Sequence, residues 1–160
     1  MNVYTIRLER LRDNLRRKRL DGFCLVNVEG SDRSNLYYLT GFAGSFGVLI
    51  VTKDQQLFLT DSRYITRAKE IVSDYTVREL KGRVTTVATR INRLKLKTIA
   101  INGPTTSTWL FHQLRDKLKE NESSCPWRGW SRPCAPSKTT LKLQRLSTPS
   151  GSLIKRLSLF

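Results

Sequence analysis

Residues 35–47, NLYYLTGFAGSFG, decide the fold of this chain, and residues 60–64, TDSRY, complete them. The first segment places large aromatic side chains among three glycines, where the backbone can turn freely. In the second segment an apolar run that ends at Leu59 meets Asp61, whose carboxylate can cap a helix that starts at Ser62. We therefore predict that a strand, a helix cap and aromatic side chains converge at one corner of the molecule.

These two segments resemble the NxxYLTGFxGS and TDxRYxxxA motifs of the N-terminal domain of the creatinase, prolidase and aminopeptidase P family. The resemblance extends over residues 1–121 and implies a layered, ribonuclease-H-like α/β domain. In that family a separate C-terminal domain of pita-bread fold carries out the chemistry with two divalent metal ions, such as manganese. We expect this chain to be truncated before that domain and to bind no cofactor of its own.

Apolar periodicity predicts that helices and strands alternate along residues 1–121. The predicted helices span 4–20, 62–72, 84–94 and 105–119. One more helix is predicted through the two tyrosines of the first segment, after a cap at Ser31 or Asp32. The predicted strands span 23–28, 46–52, 56–60, 75–80 and 98–101. Asp21-Gly22 is expected to end the first helix. The alternation predicts an α/β fold of three layers, a mixed, largely parallel sheet with helices on both faces, in which the 46–60 hairpin supplies the antiparallel pair.

The charge of the chain suggests a second class of function. Its 160 residues, enough for one domain, carry a formal net charge of +16. A basic nucleic-acid-binding module is the alternative, with Trp127 and Trp130 as stacking groups beside the Arg-rich first helix. However, Leu8, Leu11 and Leu15 repeat at helical spacing, which favours a solvated basic face above a buried leucine stripe. Nucleic acid is therefore the less favoured partner.

Residues 122–160 differ in composition from the domain before them, because they hold four of the five prolines and, after Glu122, seven Lys or Arg and no acid. One hypothesis is a disordered basic tail. The other is an out-of-frame product, since codons for residues 124–144 can be chosen so that a shifted frame encodes an acidic helix similar to the linker of the family. The first residues are basic rather than secretory, and no apolar run is long enough for a bilayer, so we expect a cytoplasmic protein without membrane contact.

Few residues are candidates for catalysis or for metal binding. Cys125 and Cys134 have a spacing that matches no zinc motif, and His112 is the only histidine. Neither G-x-G-x-x-G nor a phosphate loop occurs in the sequence. We therefore assign no catalytic residue and no metal ligand to this chain.

The resemblance implies that this domain shapes a substrate pocket and builds dimers. The candidate pocket or interface residues are Tyr38, Phe42, Ser45, Arg63 and Tyr64. For Phe42, core packing and pocket lining are equally supported. Asp61 is predicted to be a structural helix cap that pairs with Arg63, rather than a catalytic acid.

The expected function is that of a non-catalytic N-terminal domain of a metal-dependent Xaa-Pro dipeptidase or aminopeptidase, which is a hydrolase. We expect no peptidase activity from this chain alone. Its expected partner is a second copy of itself, in a homodimer, or a separate catalytic chain.

Overall fold

The computed structural model describes residues 2–82, 86–119 and 142–146 of the chain. Within these residues, helices and strands alternate as the sequence predicts. The helices are α1 (Val3–Arg17), α2 (Arg33–Thr40), α3 (Ile65–Ile71), α4 (Val87–Arg93) and α5 (Thr108–Lys119), and the strands are β1 (Gly22–Asn27), β2 (Gly47–Thr52), β3 (Gln56–Thr60), β4 (Thr76–Glu79), β5 (Thr98–Asn102) and β6 (Lys142–Leu146). The predicted α/β class is confirmed.

The described strands form a single mixed sheet in the order β4-β3-β2-β1-β5-β6. Strand β2 runs antiparallel to both of its neighbours, β1 and β3, whereas the other neighbouring pairs are parallel. The predicted hairpin is therefore present, but it is not the only antiparallel pair among these strands. The second pair arises because β2 returns beside β1, with Gly22 opposite Thr52 and Asn27 opposite Gly47.

Successive residues of β1 contribute to two apolar clusters on opposite faces of the sheet. Phe23 and Leu25 pack with the buried leucines of α1 and α2, whereas Cys24 and Val26 pack with buried residues of α4 and α5. All six residues of β1 are buried, which explains why this strand has a nearly continuous apolar sequence. Helices thus cover both faces, and the predicted three layers are confirmed.

Helix α1 contributes the predicted leucine stripe, because Leu8, Leu11 and Leu15 are all buried. The helix ends at Arg17, earlier than predicted, and Arg19 adopts a left-handed backbone with φ of 54°. The prediction that Asp21-Gly22 ends the helix is therefore wrong.

Asp21 instead joins the start of β1 to the start of β5. Its Oδ2 accepts hydrogen bonds from the Lys97 amide (3.1 Å), the Thr98 amide (3.0 Å) and Thr98 Oγ1 (3.1 Å). Burial raises the pKa of this carboxyl, but the hydrogen bonds and the positive charge of Lys53 outweigh burial, so the pKa lies below its ordinary value. The Asp21 carboxylate therefore acts as a fixed anion at this end of the sheet.

Strand β6 is the part of the predicted tail that the structure describes. It pairs in parallel with β5, with Thr98 opposite Lys142 and Asn102 opposite Leu146. The rest of the tail, residues 122–141 and 147–160, lies outside the described residues, and so do Cys125, Cys134 and both tryptophans of the nucleic-acid hypothesis. Among the described helices, none combines the length and the apolar character that a bilayer-spanning segment requires.

Candidate functional site

The turn after α2 brings the glycine-rich segment back across the end of the sheet. Gly41 has φ of 75°, and its amide donates to the Tyr37 carbonyl over 2.7 Å. A Cβ at this position would lie 2.7 Å from the Tyr4 hydroxyl oxygen. Both the left-handed backbone and the close approach of Tyr4 therefore favour glycine here.

Phe42 follows this turn and points into the core. Its side chain is 1% exposed, and its ring centroid lies 5.1 Å from that of Phe58 and 5.8 Å from that of Tyr64, both edge to face. A Cβ on Gly44 would lie only 2.3 Å from the Phe42 ring, so the segment closes directly over this side chain. In this structure Phe42 packs beneath the corner rather than lining an open surface.

Ser45 and Tyr64 meet at the corner that the two motifs predict. Ser45 Oγ lies 3.0 Å from the Tyr64 hydroxyl oxygen, and both residues are half-buried. The hydrogen bond with Ser45 has the largest effect on the pKa of Tyr64, which it lowers together with the positive charge of Arg63. Burial and the Asp61 carboxylate raise this pKa, but by less. We call this pair, together with Arg63, the polar corner.

Arg63 stands beside this pair and is held by Asp61. Asp61 Oδ2 accepts from Arg63 Nη2 (2.6 Å) and Nε (3.1 Å), and Asp61 Oδ1 accepts from the Arg63 amide (3.0 Å). Hydrogen bonding to Asp61 raises the pKa of the guanidinium. Its carbon atom lies 5.3 Å from the Tyr64 ring centroid. The Arg63 side chain nevertheless remains 69% exposed, so it presents a cation to solvent.

Contrary to the sequence prediction, Asp61 does not cap helix α3 but lies in the turn before it. Helix α3 begins at Ile65, not at Ser62, and its N-cap residue, Tyr64, makes no side-chain capping bond. The Asp61 carboxylate therefore stabilises the turn before the helix, because its Oδ1 accepts from the Arg63 amide. In the same turn the Tyr64 amide donates to the Asp61 carbonyl over 3.2 Å. The predicted ion pair with Arg63 is present in this turn.

Tyr38 lies apart from the polar corner, against α1. The Arg7 guanidinium carbon is 4.0 Å from its ring centroid, and Arg7 Nη1 donates to the Tyr38 carbonyl over 2.7 Å. The structure thus groups three of the five candidates, Ser45, Arg63 and Tyr64, with Phe42 beneath them. Tyr38 instead joins α1 to α2.

A buried polar network that the sequence analysis missed lies next to this corner. Asp32, 3% exposed, accepts three side-chain hydrogen bonds: from Asn35 Nδ2 (2.6 Å), Asn102 Nδ2 (2.6 Å) and Thr105 Oγ1 (2.7 Å). The prediction that its side chain, or that of Ser31, caps α2 is wrong. Asp32 occupies the N-cap position without a capping bond, and Ser31 Oγ accepts from the Val28 amide over 3.2 Å.

The network continues from Asp32 into the glycine-rich segment. The Asp32 amide donates to Asn27 Oδ1 (2.9 Å), and Asn27 Nδ2 donates to the Gly44 carbonyl (3.1 Å). The Gly30 amide donates to the Ser45 carbonyl over 3.0 Å. One hydrogen-bonded path thus runs from the end of β5, through the end of β1, to the backbone of the polar corner.

The sequence contained a signal for this network. Asn27 ends the apolar run of β1, and Asn102 ends that of β5. Because β1 and β5 are parallel neighbours, their carboxyl ends meet at the same edge of the sheet. A buried amide at the end of each strand therefore indicates a shared polar partner, although the sequence does not show that this partner is Asp32.

Two other candidates for reactivity are Cys24, which packs in the core, and His112, which lies on the surface. Cys24 is fully buried, and this burial raises the pKa of its thiol to about 12, so it is not a reactive thiolate. His112 is exposed on α5, with its ring centroid 5.8 Å from that of Phe111. In the three described ranges, no group of three or more His, Cys, Asp or Glu side chains is placed to hold a metal ion.

The fold and the polar corner together define a class of protein: a three-layer α/β domain whose glycine-rich segment closes over aromatic packing at the end of a mixed sheet. The model of the family described as Creatinase/Prolidase N-terminal domain matches residues 7–128. The chain belongs to this family.

Known relatives show which part of a longer protein the chain resembles. The uncharacterized peptidase YqhT of Bacillus subtilis (strain 168) is 32% identical over 77 residues, which are 48% of this chain and 20% of that protein. The X-Pro aminopeptidase from Thermotoga maritima MSB8 superposes with a TM-score of 0.68 at 28% identity, covering 87% of this chain and 33% of that one. The chain therefore spans a third or less of the length of these two peptidases.

A structure of comparable size shows the same fold. The N-terminal domain of cytoplasmic peptidase PepQ from Mycobacterium tuberculosis H37Rv superposes with a TM-score of 0.68 at 22% identity. This superposition covers 89% of the present chain and 93% of that domain. The present chain thus has the fold of a creatinase-type N-terminal domain.

Removing the Ser45 hydroxyl should raise the pKa of Tyr64. The hydrogen bond with Ser45 stabilises the ionised phenolate, so Ser45→Ala should shift Tyr64 ionisation to higher pH and leave less tyrosinate at a given alkaline pH. NMR titration of ring-labelled tyrosine measures this shift, and Ser34→Ala on an exposed turn of α2 is the matched control. Equal Tyr64 pKa values in the two variants would show that the Ser45–Tyr64 hydrogen bond does not form in solution.

Proposed function

We propose that this chain is a non-catalytic N-terminal domain that shapes the substrate pocket of a metal-dependent Xaa-Pro peptidase. The observation that supports this role most strongly is the polar corner, which joins both family motifs through the 3.0 Å contact between Ser45 Oγ and the Tyr64 hydroxyl. The aromatic packing beneath it and the hydrogen bonds to the Gly44 and Ser45 carbonyls hold the corner in place.

The chemistry of the corner suits a peptide. In the Ser45–Tyr64 pair one hydroxyl donates to the other, so the second hydroxyl keeps a proton for a peptide carbonyl or carboxylate. Arg63 turns Nε and Nη2 toward Asp61, and Nη1 makes no hydrogen bond to another described residue. The guanidinium can therefore also donate from Nη1 to the terminal carboxylate of a short peptide.

The side chains that the structure describes do not form a metal site of the kind that the family's hydrolysis requires. The one histidine of the chain is exposed on α5, and the described acids form no cluster with ligand geometry. We infer that two divalent ions such as manganese, together with the groups that bind them, belong to a catalytic domain or chain beyond these residues. The role of this domain is then to restrict and orient the peptide.

The nucleic-acid alternative has less support from α1. Arg7 stacks on Tyr38, Arg12 donates to Glu9, Gln56 and the Thr52 carbonyl, and Arg16 pairs with Asp13. Three arginines of the basic helix thus already serve contacts within the fold. A basic surface alone does not favour this function over the peptide pocket.

Titration with an Ala-Pro-Ala tripeptide tests the pocket. In a heteronuclear NMR spectrum of the full chain, millimolar peptide should shift the amides of Ser45, Arg63 and Tyr64. Arg63→Gln should weaken this binding about twofold to fivefold, because it removes an exposed charge pair with the peptide carboxylate. Arg67→Gln, an exposed arginine on α3, should leave binding unchanged.

Three outcomes would contradict the proposal. Shifts that avoid the polar corner, or equal effects of the two arginine variants, would remove the pocket role. Manganese-dependent cleavage of the tripeptide by the purified chain would show that the chain is itself a peptidase, whereas the proposal predicts intact peptide.

We also infer that the domain self-associates, as the family resemblance implies. Sedimentation velocity of the full chain over a range of concentrations should then show a species of twice the 18.4 kDa chain mass. The same measurement with a separate catalytic chain added tests whether the domain binds that chain instead. A single 18.4 kDa species at every concentration would contradict homodimerisation.

A further inference from the structure

A cleft of about 400 Å³ opens at the end of the sheet opposite the polar corner. One wall is the β2–β3 turn, which contains Lys53, and the other is the segment from α4 to β5, which contains Arg93, Lys95 and Lys97. Asp21 lies between the walls. Strand β1 packs closely beside the cleft, since a Cβ on Gly22 would lie 2.9 Å from Leu96 Cδ1 and 3.2 Å from the Val51 carbonyl oxygen.

The residues of the cleft carry an excess of positive charge. Four cations face two carboxylates, Asp21 and Asp54, which leaves a formal net charge of +2. The Asp21 Oδ2 atom is already engaged by two backbone amides and the Thr98 hydroxyl. Lys53 Nζ lies 3.7 Å from Asp21 Oδ1, the one ion pair that the described residues form across the cleft.

The three cations of the second wall have no carboxylate within ion-pair distance in the part of the chain that the structure describes. Arg93, Lys95 and Lys97 are exposed, and they occur within five residues of each other, so they repel one another. Residues 16–19, all basic, lie just before Asp21 and add to the positive potential. An anion in the cleft would relieve this repulsion.

Both walls are held in shape before any ligand binds. Thr52 Oγ1 accepts from the amides of Asp54 (3.3 Å) and Gln55 (2.9 Å), which fixes the β2–β3 turn. On the other wall, Lys95 adopts φ of 50°, and its amide donates to the Asn92 carbonyl over 3.1 Å. A preformed cleft loses less conformational entropy when a ligand binds.

We propose that this cleft binds a small molecule with at least two phosphate groups. Charge complementarity selects an anion, and four cations on two walls match several phosphates better than one. The volume suits a small molecule, and none of the described residues that line the cleft is aromatic, so none of them would stack on a nucleic-acid base. From the rise of ~3.3 Å per strand residue, this site lies about 17 Å from the polar corner, at the other end of β1, and it is independent of the proposed peptide pocket.

Inorganic tripolyphosphate is the probe, measured by calorimetry and heteronuclear NMR on the full chain at constant ionic strength. Arg93→Gln/Lys97→Gln should weaken binding about tenfold or more, because two charge-assisted hydrogen bonds are lost. The matched control, Arg67→Gln/Lys69→Gln, removes one arginine and one lysine from exposed positions on α3 and should change the affinity less than about twofold. Amide shifts should concentrate in residues 53–55 and 95–98.

A second variant keeps the test decisive if the double substitution disturbs folding. Lys53→Gln on the opposite wall should also weaken binding, and thermal melting of each variant checks that the fold persists. Equal loss of affinity in the cleft and control variants would overturn the proposal, since binding would then follow net charge alone. Absence of tripolyphosphate binding, or tighter binding of a single-stranded oligonucleotide through the same residues, would also overturn it.

Discussion

The hydrogen bonds to the buried Asp32 carboxyl group join the parts of the fold that the candidate site requires. A polar group removed from water destabilises a protein unless its hydrogen bonds are replaced, and Asp32 receives three, from Asn35, Asn102 and Thr105. These donors come from α2, from the end of β5 and from the turn after it, so one side chain joins a helix to a strand. Its own amide then connects to Asn27.

The two ends of the sheet differ in the polar groups that they carry. At the carboxyl ends of β1 and β5, side-chain hydrogen bonds hold the backbone of the glycine-rich segment, and the polar corner lies beside them. At the amino ends of the same strands, the Asp21 carboxylate ties β1 to β5 and lies within a cleft that Lys53, Arg93, Lys95 and Lys97 help to line. The packing between the two ends is apolar on both faces of the sheet. The two proposed sites are therefore separated by the apolar core.

The sequence predicted the local features well, because their physical causes are local. The leucine spacing of α1, the apolar run of β1 and the polar turn between β2 and β3 each have a signature within a few residues. The family motifs predicted the corner at which Ser45 meets Tyr64.

Features that depend on distant partners could not be read from the sequence. Asp32 is of a residue type that commonly caps helices, but Asn102, 70 residues away, engages its side chain instead. The pairing of β1 with β2 and the cleft opposite the polar corner likewise require the folded chain. The burial of Phe42 depends on Phe58 and Tyr64, which are distant in sequence, as well as on Gly44 beside it.

The substitution Asp32→Asn tests this account most directly, because it keeps the size of the side chain but places a donor among three donors. Urea unfolding with heteronuclear NMR should show a loss of about 2–4 kcal/mol of stability, together with shifted amides at Asn27, Gly44 and Ser45. The control Asp54→Asn, an exposed acid in the β2–β3 turn, should stay within about 0.5 kcal/mol of the original chain. An Asp32→Asn variant as stable as this control, with an unchanged Ser45 environment, would contradict the account.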